Sequence, residues 1–175
     1  MIFSKIKEHF LKKNIQQVSK TSKIVVANSE IKRIGVLTTN ELNDLYDFSS
    51  IVKTKFSKYK NVNLYSFKNF NKKDVKTFNF FTHKDFDWRG EIKDPSLISF
   101  VNEQFDLLIC YFDTNNIFLE SIAQLSQANF KIGFSNVNQS VFDLEISENL
   151  KSFKNVENFN SELLKYLYIL ESKDL

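Results

Sequence analysis

The stretch that most limits what this chain can fold into is Phe105 to Ser135, FDLLICYFDTNNIFLESIAQLSQANFKIGFS. Asp106 to Phe112 is an almost unbroken apolar run. That is the pattern of a strand buried on both faces, and such strands belong mainly to parallel sheets. Asp113-Thr114-Asn115-Asn116 then offers helix-capping side chains. Ile117, Phe118, Ile122, Leu125 and Ala128 recur at three- and four-residue steps, one face of a helix, and Phe130 to Phe134 reads as a second strand. Strand, helix and strand within about 30 residues make a βαβ unit with a right-handed crossover. This unit belongs at the centre of the fold. Strand 106–112 is expected to be central and fully buried, with Cys110 as core.

The rest of the chain extends the same alternation. Ile34 to Leu37 predicts a strand in which Gly35 allows close packing, followed by a helix over about 41–59 and an alternating strand at 61–67. After a polar, basic connector, residues 75–81 predict another short strand. Asp94-Pro95-Ser96 starts a helix to about Glu103, with proline at an early position. Residues 141–146 alternate as a final edge strand, and 159–171 predict a closing amphipathic helix. The fold class is therefore α/β. It has three layers around a mostly parallel, Rossmann-like or flavodoxin-like sheet, order 2-1-3-4-5 with an added edge strand, and forms a single domain over residues 31–175.

Residues 1–30 read as an N-terminal helix and linker. Ile2, Phe3, Ile6, Phe10, Leu11, Ile15 and Val18 repeat at helical spacing among lysines, and Ile24-Val25-Val26 is a short extended piece. Such a basic amphipathic helix either packs on its own domain or docks elsewhere, on a membrane surface, a protein or RNA. The docking residues would be Phe3, Lys5, Ile6, Lys7, Phe10, Lys12 and Lys13. We expect residues 1–20 to be dispensable for folding and needed for docking.

Composition excludes several classes. The chain has 175 residues, 42% of them hydrophobic, which suits one globular domain and argues against wholesale disorder. Its 19 Phe accompany abundant Lys, Asn and Ile, all with AT-rich codons. Only three glycines are present, and neither G-x-G-x-x-G nor the P-loop pattern occurs. Backbone that cradles a phosphate closely generally needs glycine. A lone cysteine excludes an intramolecular disulfide framework. No apolar stretch reaches the roughly 20 residues of a membrane span, and no secretory signal pattern is visible, so a cytoplasmic location is expected. Charge is asymmetric. Residues 1–100 carry 19 basic and 10 acidic side chains, a balance of +9, whereas residues 101–175 carry 5 and 11, a balance of −6. Such polarity can orient a protein on an anionic or protein surface.

In an open α/β sheet, ligands bind outside the carboxyl ends of strands where the strand order reverses. Thr38, Thr39, Asp113, Thr114, Ser135 and Asn136 would gather there as candidates to hold a sugar or phosphate compound. The same residue types also serve as helix caps. His83, Asp85, Asp87 and Arg89 form the densest polar cluster in the chain. Three ligands on one face of an extended segment are conceivable, but an ion-paired rim around Phe86 and Trp88 is the simpler reading, so no metal and no cofactor is expected. The functional expectation is a non-catalytic interaction module acting through its basic N-terminal half. Its partner would be a protein, with peripheral membrane contact or nucleic acid as alternatives. The competing expectation is a small enzyme or ligand binder using the strand-end crevice.

The segments K-R-I-G-V-L, K-D-F-D-W-R-G, F-D-L-L-I-C-Y and A-N-F-K-I-G-F together resemble a family of small Bacteroidota proteins classed as a domain of unknown function. That resemblance spans most of the chain and implies an α/β fold in a cytoplasmic setting, with no activity or site. Over about 30 residues the chain is also similar to the N-terminal domain of heptosyltransferase-like glycosyltransferases, where a phrase like F-D-L-L-I precedes a helix and A-x-x-K-I-G-F. The second nucleotide-sugar domain of such enzymes is missing, so this likeness implies a fold and not catalysis.

Overall fold

The computed structural model describes residues 2–17, 31–56, 61–73, 75, 80–137 and 140–171. Its strands are β1 (Arg33–Thr39), β2 (Asn61–Phe67), β3 (Phe80–Phe81), β4 (Leu107–Tyr111), β5 (Lys131–Phe134) and β6 (Leu144–Ile146). Its helices are α1 (Ile2–Gln17), α2 (Asn40–Tyr46), α3 (Phe48–Lys55), α4 (Pro95–Asn102), α5 (Ile117–Leu125) and α6 (Phe153–Glu171). The strands form one sheet in the order β3-β2-β1-β4-β5-β6, and every neighbouring pair is parallel. The expected five-strand order is present, with β3 as the added edge strand beside β2.

The apolar run at 107–111 explains why β4 lies inside. All five of its residues are buried, between β1 on one side and β5 on the other. Alternation along the strands sorts the rings onto two faces. On one face Tyr111 stacks on Phe48 of α3 at 4.1 Å and meets Phe159 of α6 at 5.4 Å. Phe159 also stacks on Phe134 at 4.3 Å. On the other face Tyr65 meets Phe100 of α4 at 4.9 Å, Phe67 stacks on Phe118 of α5 at 5.5 Å, and α1 lies along α5. Gly35 is the close approach expected of it, because a Cβ there would come within 2.8 Å of the Phe105 ring.

Several boundaries differ from the sequence expectation, each for a local reason. The helix expected over 41–59 is two helices. Asp47 breaks it by adopting a left-handed backbone with φ 46°, and its carboxylate then caps α3 by accepting from the Ser50 amide at 3.1 Å. The segment expected as extended at His83 is a 3-10 turn over His83–Asp85, closed by a capping box between Thr82 and Asp85. The extended alternation that would put His83, Asp85 and Asp87 on one face is thereby lost. Strand pairing in the 75–81 segment is seen for Phe80–Phe81, with 76–79 outside the described residues. Helix α6 begins six residues earlier than expected, and β6 shortens to Leu144–Ile146. The extended piece expected at Ile24 to Val26 also lies outside the described residues.

Helix α1 packs on its own domain, the other of the two readings open to it. Leu11 and Ile15 are buried, and Leu11 fills the space above Gly90, whose φ of 80° and missing side chain leave room for it. The Lys7 ammonium donates to the carbonyls of His83 at 2.7 Å and Phe86 at 2.8 Å. Each buried aliphatic side chain of α1 contributes about 1.5–3 kcal/mol. This packing runs against the expectation that residues 1–20 are dispensable for folding.

Candidate functional site

The carboxyl ends of β1 and β4, where the strand order reverses, are held shut by the chain itself. Thr38 is buried, and its hydroxyl donates to the Tyr111 carbonyl at 2.8 Å. Thr39 caps α2 by accepting from the Leu42 amide at 3.1 Å. Asp113 accepts the Leu150 amide on its carboxylate at 2.7 Å, and its carbonyl accepts the Asn136 side-chain amide at 2.7 Å. The Leu150 carbonyl in turn accepts from the Tyr46 hydroxyl at 2.8 Å. Leu150 therefore straps the loop after β4 to helix α2, across the strand ends. Below the strap, Phe48, Tyr111 and Phe159 pack as a stack of buried rings. The Tyr111 hydroxyl donates to the buried Asn160 at 2.5 Å, and burial raises its pKa well above the usual phenol range. Of the six crevice candidates, Asp113 and Asn136 are joined directly. Thr38 is turned to Tyr111 and Thr39 to its helix, Thr114 is exposed, and Ser135 donates its amide to the Ile146 carbonyl at 3.2 Å. Tyr46 and Leu150, which close the site, carry no local sequence signal beyond an apolar stripe.

A cleft of about 620 Å³ opens further along the same edge, between α1, the start of α5 and the loop after β5. Glu8, Lys12 and Ile15 of α1 form one wall; Asn115, Ile117, Glu120, Asn136 and Val137 form the other. Among the described residues, no group of three or more His, Cys, Asp or Glu side chains is placed to hold a metal ion. Cys110 is buried in β4, where desolvation raises its thiol pKa far above the normal range, so it is no nucleophile at neutral pH.

The sheet edge at β3 is different in kind. The His83 to Gly90 segment places four candidate polar residues there, with two acids turned onto backbone. The Asp85 carboxylate accepts the Thr82 amide at 2.7 Å, and Asp87 accepts the amides of Arg89 at 2.8 Å and Glu91 at 2.9 Å. The cations instead lie on rings. The Lys84 ammonium sits 3.7 Å above Phe70, the Arg89 guanidinium 4.7 Å above Trp88, and the Lys68 ammonium 5.5 Å above Phe80. Trp88 is 51% exposed and Phe70 38%. Phe10 of α1 meets Trp88 edge-on at 5.9 Å, so the helix and the segment form one surface. His83 lies between Phe70 and Phe118, and burial together with Lys7 and Lys84 lowers its pKa. Of the docking candidates on α1, Lys5, Ile6, Lys12 and Lys13 are exposed and Lys7 is bonded to the segment; the side chain of Phe3 lies outside the described residues.

Among the described residues, no helix is long and apolar enough to cross a membrane. No curated protein and no solved structure matches the chain. One family model does match, over residues 6–170, from within α1 through every strand to the end of α6, and the chain therefore belongs to that family, described as a family of unknown function (DUF6913).

Proposed function

We propose that this protein is a non-catalytic α/β interaction module of the cytoplasm that engages its partner through the basic N-terminal half. The observation that carries this reading is the β3 edge, where exposed Trp88 and Phe70 each hold a cation on the ring. Aromatic and arginine side chains that stay half-exposed on a rigid segment are the usual anchors of binding surfaces. The strapped strand ends support it from the other side, because at the switch point between β1 and β4, where an α/β domain generally binds small molecules, Leu150 is tied across by hydrogen bonds of the chain itself. A photo-reactive amino acid at position 70 or 84, used in cells, tests the reading. Crosslinked species should form from both positions and vanish on Arg89→Glu. Position 157, on exposed α6 surface, should give none. Equal crosslinking from all three would defeat the reading.

The second reading, a binder of a small sugar or phosphate compound, is favoured by the cleft between α1 and α5, with its two carboxylates, one ammonium and two amides around an apolar floor. The local likeness to heptosyltransferase-like domains and the Bacteroidota setting belong with this reading as resemblances alone. A thermal shift on adding monosaccharides or sugar phosphates that Asn136→Ala abolishes would favour it over the first.

A further inference from the structure

We infer that the β3 edge is a binding surface for single-stranded nucleic acid, RNA above all, with Trp88 and Phe70 as base-stacking platforms. This inference rests on the interaction-module reading and names its partner. Sequence-tolerant single-strand binders combine a basic track for the backbone with exposed rings on which bases stack. Both ingredients are at this edge. The described residues between 68 and 93 hold six Lys or Arg against three Asp or Glu, and Lys7 of the adjoining α1 is bonded to the same segment. Two of those acids, Asp85 and Asp87, have their carboxylates turned onto backbone amides, while Lys84 and Arg89 are exposed beside them.

The rings are the discriminating feature. A guanidinium lying on an indole, as Arg89 lies on Trp88, makes a layered cationic platform, and bases stack on arginine planes as well as on rings. Lys84 over Phe70 repeats the arrangement at the other end of the segment. A partner that reads charge alone has no use for these exposed rings. An anionic membrane is the poorer fit, because the buried aliphatic residues of α1, Leu11 and Ile15, are packed on the domain and do not offer an apolar face to a bilayer. An A-form duplex is also a poor fit, since its bases are already stacked within the helix.

Fluorescence anisotropy with the full chain and a labelled 15-nucleotide single-stranded RNA of mixed sequence tests this. Binding is expected at 50 mM salt and should weaken steeply with added salt, with a log–log slope near −0.7 for each phosphate neutralised. Trp88→Ala should weaken it by about 5- to 150-fold, the range for loss of one stacked base. Phe70→Ala should act in the same direction without touching the Phe10 contact of α1, and Trp88→Tyr should restore most of the binding. Tyr168→Ala, which removes a 73% exposed ring on α6, should change nothing. Circular dichroism and melting of each variant establish that the fold is retained. The inference is overturned by no binding at 50 mM salt, by binding that both ring variants leave intact, or by preferential sedimentation with phosphatidylserine vesicles. Crosslinks from positions 70 and 84 to a protein, with no RNA bound, would sink the nucleic-acid partner while leaving the interaction module standing.

Discussion

The central strand ends and the β3 edge of this domain use the same residue types to opposite ends. At the carboxyl ends of β1 and β4, rings and polar groups face inward. Tyr111 is sandwiched between Phe48 and Phe159, Thr38 bonds the Tyr111 carbonyl, and Asp113 and Tyr46 hold Leu150 by its amide and carbonyl. At the β3 edge, rings stay half-exposed, Asp85, Asp87 and Lys7 are bonded to backbone, and Lys84 and Arg89 lie outside on the rings. Burial of paired rings yields stability and a unique packing. Exposed ring–cation pairs contribute little to folding, about 0.5–1 kcal/mol each. A chain that keeps them at the β3 edge and a packed interior at the central strand ends has divided stability from recognition between the two.

Substitution at the closed end should therefore be severe for stability and silent for binding. Phe159→Ala removes a fully buried ring that touches both Tyr111 and Phe134, and it should cost about 3–5 kcal/mol in urea unfolding. The affinity of any surviving folded fraction for a β3-edge partner should be unchanged. A cost below about 1 kcal/mol would mean that the strand ends are loosely filled and a ligand crevice is back in play.

What the sequence made legible divides along the same line. The central strand was readable because burial on both faces leaves no polar position in Leu107 to Tyr111. The parallel βα alternation and the close approach at Gly35 followed from pattern and from the lack of a side chain. The break at Asp47 was hidden because an apolar stripe continues through it from Leu45 to Phe48; only the backbone shows that one residue ends one helix and caps the next. Thr38, Asp113 and Asn136 lie at the strand ends, yet their partners Leu150 and Tyr111 are long-range and carry no motif. The ring–cation pairs were within reach, since Trp88-Arg89 are adjacent in sequence, whereas Lys84 on Phe70 depends on the turn that the Thr82–Asp85 box creates.

Helix α1 sits between the two regimes, and Leu11→Ala asks to which it belongs. Leu11 is 1% exposed and seated over Gly90, so the substitution should cost about 2–5 kcal/mol, read by the same unfolding measurement. A loss of that size makes α1 part of the cooperative core. A loss of a few tenths would return the helix to the status of a detachable arm, and Phe10 would then be free to leave Trp88.

Cys110→Ser should be milder, about 1–3 kcal/mol, because it places a hydroxyl where the thiol is surrounded by apolar neighbours. Desolvation holds the thiol protonated, so a thiol reagent should label the native protein far more slowly than the unfolded chain. Fast native labelling would show that the closed end opens on its own.

The smallest effect probes the open edge. His83 is half-buried against Phe70 and Phe118, near Lys7, Lys84 and Asp85. Burial, then the two ammonium groups, holds its pKa below the ordinary 6.5, and Asp85 opposes them more weakly. Between the folded and the unfolded pKa, the unfolded chain binds more protons than the native one. The linkage sign therefore makes stability rise with pH across that interval. The contribution is complete above pH 6.5 and declines as pH falls through 6.5 toward the lower folded value. His83→Gln removes it, while every other titrating group acts alike in both chains. Urea midpoints at pH 7.5 and pH 5.5 should thus fall further for the wild-type protein than for His83→Gln. Equal falls would mean that the imidazole is as hydrated in the native state as in the unfolded one. Lys7 and Phe70 could not then be closing around it, and the β3 edge would be looser than a stacking platform requires.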